Sequence, residues 1–174
     1  MSFRHRPATL NDLPAIVAIY NSTVASREVT ADTEPVTVAS RLAWFHEHTP
    51  ERRPLWVIEL DDDVSDPASE APIVGWISYS NFYGRPAYAG TAEVSIYIEE
   101  SWRGKGVGRY ALAEAIAFAP SIRVHTLLGF IFGHNLPSLA LFGKFGFGTW
   151  ANLPRVANLD GVERDLIILG KRVG

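Results

Sequence analysis

The 174-residue chain has no cysteine, which excludes disulfides and thiolate chemistry together. It has no surplus of basic charge either. Lys and Arg number 16 against 19 Asp and Glu, a net charge of -3, so no general cationic surface recruits nucleic acid. No apolar run approaches the roughly 18 residues of a membrane span, and Met1-Ser2-Phe3-Arg4-His5-Arg6-Pro7 lacks the apolar centre of a secretory signal. A cytoplasmic protein without a membrane partner is the expectation. Metal-ligand spacing is missing too: only His46 and His48 fall close together, on different sides of a helix, and no metal is expected. No repeat or linker divides the chain, so residues 1–174 are read as one domain. Its 47% hydrophobic content is enough for one sizeable core.

What the chain does have is concentrated between Thr91 and Phe118. Val94, Ile96 and Ile98 alternate with Glu93, Ser95 and Tyr97, the pattern of a strand, so Glu93 shares a face with Tyr97. Leu112, Ala115, Ile116 and Ala119 recur at helical spacing until Pro120 stops them, and the helix is expected to begin near Gly108. Between strand and helix lies Arg103-Gly104-Lys105-Gly106-Val107-Gly108-Arg109. Its glycines let the backbone turn and present bare N–H groups at a helix N-terminus, where a partial positive charge attracts phosphate. Arg103, Lys105 and Arg109 add mobile cations. A P-loop is excluded because Arg109-Tyr110 follows Gly108, and a dinucleotide fingerprint fits poorly because Ala111 occupies its third glycine position.

The remaining elements read in the order βαα-βββ-α-β-α-ββ. Phe3 to Arg6 forms a short strand, and Asp12 closes a capping box with Thr9 before a helix carrying Leu13, Ile16, Val17 and Tyr20. Asn21 to Pro35 reads as a loop or loose helix, and Val38, Leu42 and Phe45 mark a second helical stripe. Strands follow at Leu55 to Leu60 and Ile73 to Tyr79, separated by Asp61, Asp62, Asp63, Asp66 and Glu70, read as a solvated acidic loop. Phe82, Tyr83, Arg85 and Tyr88 crowd the next connection, a mixture suited to ligand contacts, with Arg85 as the partner for a carboxylate or phosphinate. His125 to Phe132 is a buried strand, Asn135 caps a helix through Phe145, and Phe147 to Asn152 and Val162 to Leu169 close the chain as strands joined by a loop through Pro154 and Asp160-Gly161.

Arg103, Gly106 and Gly108 fit R-x-x-G-x-G, and Asn135 through Phe147 resembles N-x-x-S-x-x-x-Y-x-K-x-G-F. Together these resemble the Gcn5-related N-acetyltransferase family. Thr9 with Asp12, Ala18-Ile19-Tyr20-Asn21, Asp32-Thr33-Glu34-Pro35, Arg85-Pro86-Ala87-Tyr88 and Thr91-Ala92-Glu93 are similar to its phosphinothricin and methionine-sulfoximine acetyltransferase branch. The resemblance implies an α+β fold of α/β/α layers: a mixed, mostly antiparallel sheet of six or seven strands flanked by about four helices.

It also implies acetyl-CoA as cosubstrate, a small-molecule amine as acceptor and a homodimer. Ile96, Tyr97 and Ile98 match the segment whose main chain pairs with pantetheine, with an N–H near Tyr97 polarising the thioester. Gly104, Lys105, Gly106, Val107, Gly108 and Arg109 correspond to the diphosphate loop after Arg103, while Asn135, Ser138 and Lys144 fall near the cofactor's far half. Glu93 matches the general base, and the stretch from Asn21 to Pro35 the wall of the acceptor site, with Ala31 where an aromatic residue is common. Phe82, Tyr83, Arg85 and Tyr88 would narrow that site to a small amino acid. Phe142 stands where the family often has a Tyr that protonates the leaving thiolate, which leaves Tyr97, water or departure as the anion. Phe142 also keeps a second function open, a non-catalytic acyl-CoA-binding sensor.

Overall fold

The computed structural model describes residues 1–61 and 71–174. Asp62, Asp63, Asp66 and Glu70 of the expected acidic loop lie outside them. Seven strands and four α-helices follow the expected order: β1 (Phe3–Pro7), α1 (Leu13–Val24), α2 (Leu42–His46), β2 (Leu55–Leu60), β3 (Ile73–Asn81), β4 (Thr91–Ile98), α3 (Val107–Phe118), β5 (Thr126–Phe132), α4 (Leu136–Lys144), β6 (Gly148–Leu159) and β7 (Val162–Arg172). The strands form one sheet in the order β1-β2-β3-β4-β5-β7-β6. Every pairing is antiparallel except β4 with β5.

Helices cover both faces, so the central strands are apolar on both sides. On β2, Trp56 and Ile58 join a core with Leu112 and Ala115 of α3 and Phe142 of α4, while Leu55 and Val57 join Ile16 and Ile19 of α1. Strand β3 is fastened to both layers. The Trp76 indole N–H donates to the Ile16 carbonyl at 3.1 Å, and the buried Tyr79 hydroxyl donates to the Ala115 carbonyl at 2.7 Å. Each bond satisfies a polar group that burial would otherwise penalise.

The helix ends follow from local chemistry. The Asp12 carboxylate accepts the Thr9 N–H at 2.7 Å and grips the Arg6 guanidinium at 2.8 and 2.9 Å, which fixes the entry to α1. That helix continues past Tyr20 to Val24, beyond its expected length. Helix α3 stops at Phe118, Pro120 lies in a following 3-10 turn, and Arg123 reverses the chain at φ 60°.

The C-terminal hairpin differs from expectation. Pro154 lies inside β6, and only Asp160 and Gly161 separate β6 from β7. Pro is tolerated there because β6 is the outermost strand and its register with β7 shifts between Leu153 and Ala157, with Arg155 at φ 54°.

Candidate active site

Strand β4 pairs with β3 from Ala92 through Ile98, but with β5 only at Thr91, Ala92 and Glu93. Beyond Glu93 the two parallel strands part. Between them lies a slot of about 100 Å³, lined by residues 94–98 of β4, Phe130 and Ile131 of β5, and Asn135 and Phe142.

Backbone direction alternates along a strand, and two hydrogen bonds set its phase. The Glu99 N–H donates to the Val74 carbonyl, towards β3, at 3.0 Å; the Gly90 carbonyl accepts from His125 and Thr126, towards β5, at 2.8 and 3.1 Å. Register with β3 is continuous, so Val94, Ile96 and Ile98 aim their N–H and C=O groups into the slot. The Tyr97 N–H points towards Trp76 instead. A donor into the slot therefore comes from Ile96 or Ile98, its neighbours.

On the α3 side the slot opens into a cleft of about 790 Å³. Ile96, Tyr97, Ile98, Arg103, Gly104, Gly106, Gly108, Arg109, Asn135, Ser138 and Lys144 line it, with Glu28 and Val29 among the facing residues. Gly104 and Gly106 have φ 72° and 94°, and Gly106 caps α3. A side chain at Gly104 would meet nothing within 4 Å, so its backbone conformation demands glycine, not space. Gly108 is glycine for contact: a Cβ there would come within 3.0 Å of Ile98 and 3.1 Å of Leu141. Lys105 folds its ammonium 4.7 Å over the Trp102 ring, and Val107 is buried in the core; neither side chain lines the cleft. Asn135 is buried and accepts the Ser138 N–H at 3.3 Å, so the helix it caps orients its amide.

The opposite face of the sheet carries the odd-numbered side chains of β4. Their cross-strand pairs form three rungs: Trp76 with Tyr97, Ser78 with Ser95, and Ser80 with Glu93. The first rung is stacked at 4.5 Å. Tyr20, Arg41 and Trp44 close over Trp76, Tyr97, Ser78, Ser95 and Ser80 to leave a pocket of about 170 Å³, which Glu93 does not line. Tyr97 lines this pocket, the slot and the cleft alike.

Around it runs a hydroxyl network. Thr30 bonds the Tyr20 hydroxyl, which also donates to Asp32, and Asp32 accepts from Arg41 Nη2 at 2.9 Å; the Tyr20 ring packs 5.0 Å from that of Tyr97. Burial raises the Tyr97 hydroxyl well above an ordinary tyrosine, so it stays protonated. Glu93 is half-buried on the third rung, and burial raises its pKa, with the nearby Ser95 hydroxyl opposing the shift.

The sequence-based site is thus divided. Its cofactor residues come together, whereas Phe82, Tyr83 and Tyr88 pack on one another at 4.4 to 6.2 Å on the exposed β3–β4 connection. With Arg85 they line none of these three spaces, and neither does Glu93, which stands on the third rung at their edge. The pocket residues that sequence reasoning missed include Arg41, Trp44 and Trp76, with Ser78, Ser80 and Ser95 beside them. Trp76 had a signal in its strand alternation; Arg41 and Trp44 flank the apolar stripe of Val38, Leu42 and Phe45, and nothing in that stripe marks them. A groove of about 650 Å³ beside α4, lined by Leu139, Asp165 and Ile167 among others, shares no residue with these spaces.

A sequence profile of the acetyltransferase (GNAT) domain matches residues 3–148. The chain belongs to the GNAT family. It is 54% identical over 168 residues to YwnH of Bacillus subtilis (strain 168), provisionally named a phosphinothricin acetyltransferase, covering 97% of this chain and 98% of that protein. An L-methionine sulfoximine/L-methionine sulfone acetyltransferase of Pseudomonas aeruginosa is 32% identical, with 97% and 94% covered. A phosphinothricin acetyltransferase of Sinorhizobium meliloti, whose crystal structure contains acetyl-CoA, superposes with a TM-score of 0.89 at 25% identity, covering 100% of this chain and 90% of that one. The fold is thus the GNAT fold that the resemblance implied.

The Glu93 shift has a consequence for stability. A carboxyl whose pKa is raised in the folded state resists ionising there while the unfolded chain ionises freely above about 4.3. The folded state therefore loses stability as pH rises from that value through the folded pKa. Glu93→Gln removes this penalty. The variant should melt at a higher temperature than the parent at pH 7.5, and the difference should vanish as pH falls towards 4; a variant less stable at pH 7.5 would contradict the burial argument.

Proposed function

We propose that this GNAT protein uses acetyl-CoA to acetylate the primary amine of a small amino acid or analogue, of the phosphinothricin, methionine sulfoximine or methionine sulfone type. Both substrates bind together and the acetyl group passes directly. The single observation that carries this reading is the parting of β4 from β5 beside Tyr97, which joins a phosphate-suited cleft to an aromatic pocket across one strand. The names of the relatives support the substrate class, and the acetyl-CoA in the Sinorhizobium meliloti structure supports the cosubstrate.

The cleft fits that cosubstrate on its own chemistry. Unpaired N–H groups follow Gly106 at the start of α3, and Arg103 and Arg109 stand at the same end, an arrangement suited to a diphosphate. Lys105 and Val107 would contribute through backbone. Ile96 and Ile98 offer slot-facing backbone groups to the amides of the pantetheine arm, as an added strand would. Asn135, Ser138 and Lys144 would hold its flank. Acetyl-CoA supplies an activated acetyl thioester.

Glu93 takes the proton from the acceptor ammonium, directly or through one water, which frees the lone pair for attack; its raised pKa brings it closer to that task. The Ile96 or Ile98 N–H steadies the charge that develops on the thioester oxygen. Tyr97 donates a hydrogen bond and not its proton. Its hydroxyl is pushed far above the value of a free thiol, about 8.5, so proton transfer to a thiolate runs uphill and the thiolate leaves as the anion. Phe142 then needs no hydroxyl. Phe82, Tyr83, Arg85 and Tyr88, beyond the Ser80–Glu93 rung, form the outer mouth through which the acceptor enters.

A cytoplasmic homodimer completes the reading. Trp150, Leu153 and Val156 on the outermost strand are 52%, 38% and 57% exposed, apolar side chains that a second copy would cover. Sedimentation velocity should give twice the chain mass, and a monomer at micromolar concentration would remove this element.

The deciving assay for the activity is acetyl-CoA-dependent thiol release, in which a cysteine-free protein contributes no background. Turnover on methionine sulfone, methionine sulfoximine or phosphinothricin is expected, and Glu93→Gln should lower kcat by roughly 10²–10⁴-fold while CoA binding is kept. Tight CoA binding with no turnover on any amine would favour the acyl-CoA sensor instead.

A further inference from the structure

The loop of residues 25–38, between α1 and the 3-10 turn Ala39–Arg41, reaches both the cleft and the aromatic pocket. Glu28 and Val29 line the cleft, and Val29 also lines the slot. Thr30 is buried and, with Asp32, holds the hydroxyl of Tyr20, whose ring packs 5.0 Å from that of Tyr97. Further on, Val36 lines the pocket. Asn21 pins it there, donating to the Val36 carbonyl and accepting the Val36 N–H, both at 2.8 Å.

The near end of the loop is fixed by Arg27. This residue sits at φ 58°, in the left-handed region that side chains rarely adopt. Every arm of its guanidinium is engaged. Nη1 donates to the Val24 and Thr33 carbonyls, both at 2.9 Å, and so closes the neck of the loop, while Nε and Nη2 grip the Asp160 carboxylate at 2.7 and 3.3 Å. Asp160 lies in the turn between β6 and β7. The Arg27 carbonyl accepts the His134 Nε2–H at 2.8 Å, and the next residue, Asn135, caps α4 and lines the cleft. Three elements distant in the chain thus converge on one loop residue. The side chains of Arg27 and Asp160 are 27% and 63% exposed, so water competes for the pair and it can open, as a latch does. Arg27, Asp160 and His134 line neither cleft, slot nor pocket.

Resting on the acetyltransferase reading above, we infer that Arg27 is a positioning residue for the reaction: its latch to Asp160 sets residues 28–32 as a wall shared by cosubstrate and acceptor, so that filling the cleft also orders the pocket side. Cosubstrate in the cleft packs on Glu28 and Val29. Thr30 and Asp32, next along the chain, pass that order to Tyr20, beside Tyr97. The coupling is reciprocal, because each ligand favours the same closed loop.

The test uses CoA as the probe and reads residue-resolved amide exchange and the CoA dissociation constant for the parent, Arg27→Asn, Arg27→Lys and Asp160→Asn. Asparagine accepts a left-handed backbone, so Arg27→Asn removes the latch and leaves the turn. In the parent, CoA should slow exchange at Val29 and also at Thr30 and Asp32. Arg27→Asn should weaken CoA binding ~3–10-fold, the loss of an exposed ion pair and of two carbonyl bonds. It should also abolish the slowing at Thr30 and Asp32, while the α3 amides still respond to CoA. Arg27→Lys and Asp160→Asn should fall between, since each keeps part of the latch. In turnover, KM should rise for acetyl-CoA and for methionine sulfone, with kcat nearly unchanged. Parent-like CoA binding in Arg27→Asn, or slowing in the parent confined to Val29, would overturn the inference, as would a KM increase for acetyl-CoA alone. A lower melting temperature with these readouts intact would reduce Arg27 to a structural role. Exchange and binding as expected, with no amine acetylated by the parent, would retire the acceptor reading and keep the latch.

Discussion

Everything in this site depends on backbone groups that the sheet leaves unpaired. Past Glu93, β4 keeps its ladder with β3 and loses the one with β5, so Val94, Ile96 and Ile98 face a slot with polar groups that have no strand to meet. A buried, unsatisfied backbone group costs about 1–3 kcal/mol, so this arrangement persists only where water or a ligand answers it. The rim of the slot is closely packed. Phe142 of α4 enters over Gly129 of β5, where any side chain would collide, since a Cβ would lie 2.6 Å from the ring. The ring meets Phe147 edge-on at 4.8 Å and lines the slot. Phe142 thus fills the space over Gly129 at the slot's wall.

The two faces of β4 then divide the labour. Even-numbered side chains anchor it in the core under α3, while Ser95 and Tyr97 line the aromatic pocket under α1 and α2. Because N–H direction and side-chain direction alternate in step, one eight-residue strand presents its backbone to the slot and Ser95 and Tyr97 to the pocket on the other face. The indole and phenol bonds of Trp76 and Tyr79 tie β3 to both helical layers, giving β4 a rigid neighbour along its length.

Much of this was legible in the sequence for specific reasons. The alternation from Glu93 to Ile98 is visible because one face is core, and the glycine loop because positive φ leaves few residue choices at Gly104 and Gly106. The parting of β4 from β5 was not legible, since where a strand's pairing ends is set by the fold and not by its own alternation. Arg41 escaped for a related reason: its partners Asp32 and Tyr20 lie on a loop and a helix that the fold alone brings together. Arg85 drew attention by its aromatic neighbours, yet those rings pack on each other. Pro154 suggested a loop because a strand's tolerance of proline depends on whether it lies at an edge, and strand order is not written locally.

The central claim is that the slot-facing backbone of β4 is completed by the cosubstrate. Residue-resolved amide hydrogen exchange, with and without saturating acetyl-CoA, tests it most directly. The account predicts that the Ser95 and Tyr97 amides, bonded towards β3, are protected in both states, while those of Ile96 and Ile98 exchange quickly alone and slow markedly once acetyl-CoA is added. Saturable acetyl-CoA binding that leaves the Ile96 and Ile98 amides unchanged would contradict it.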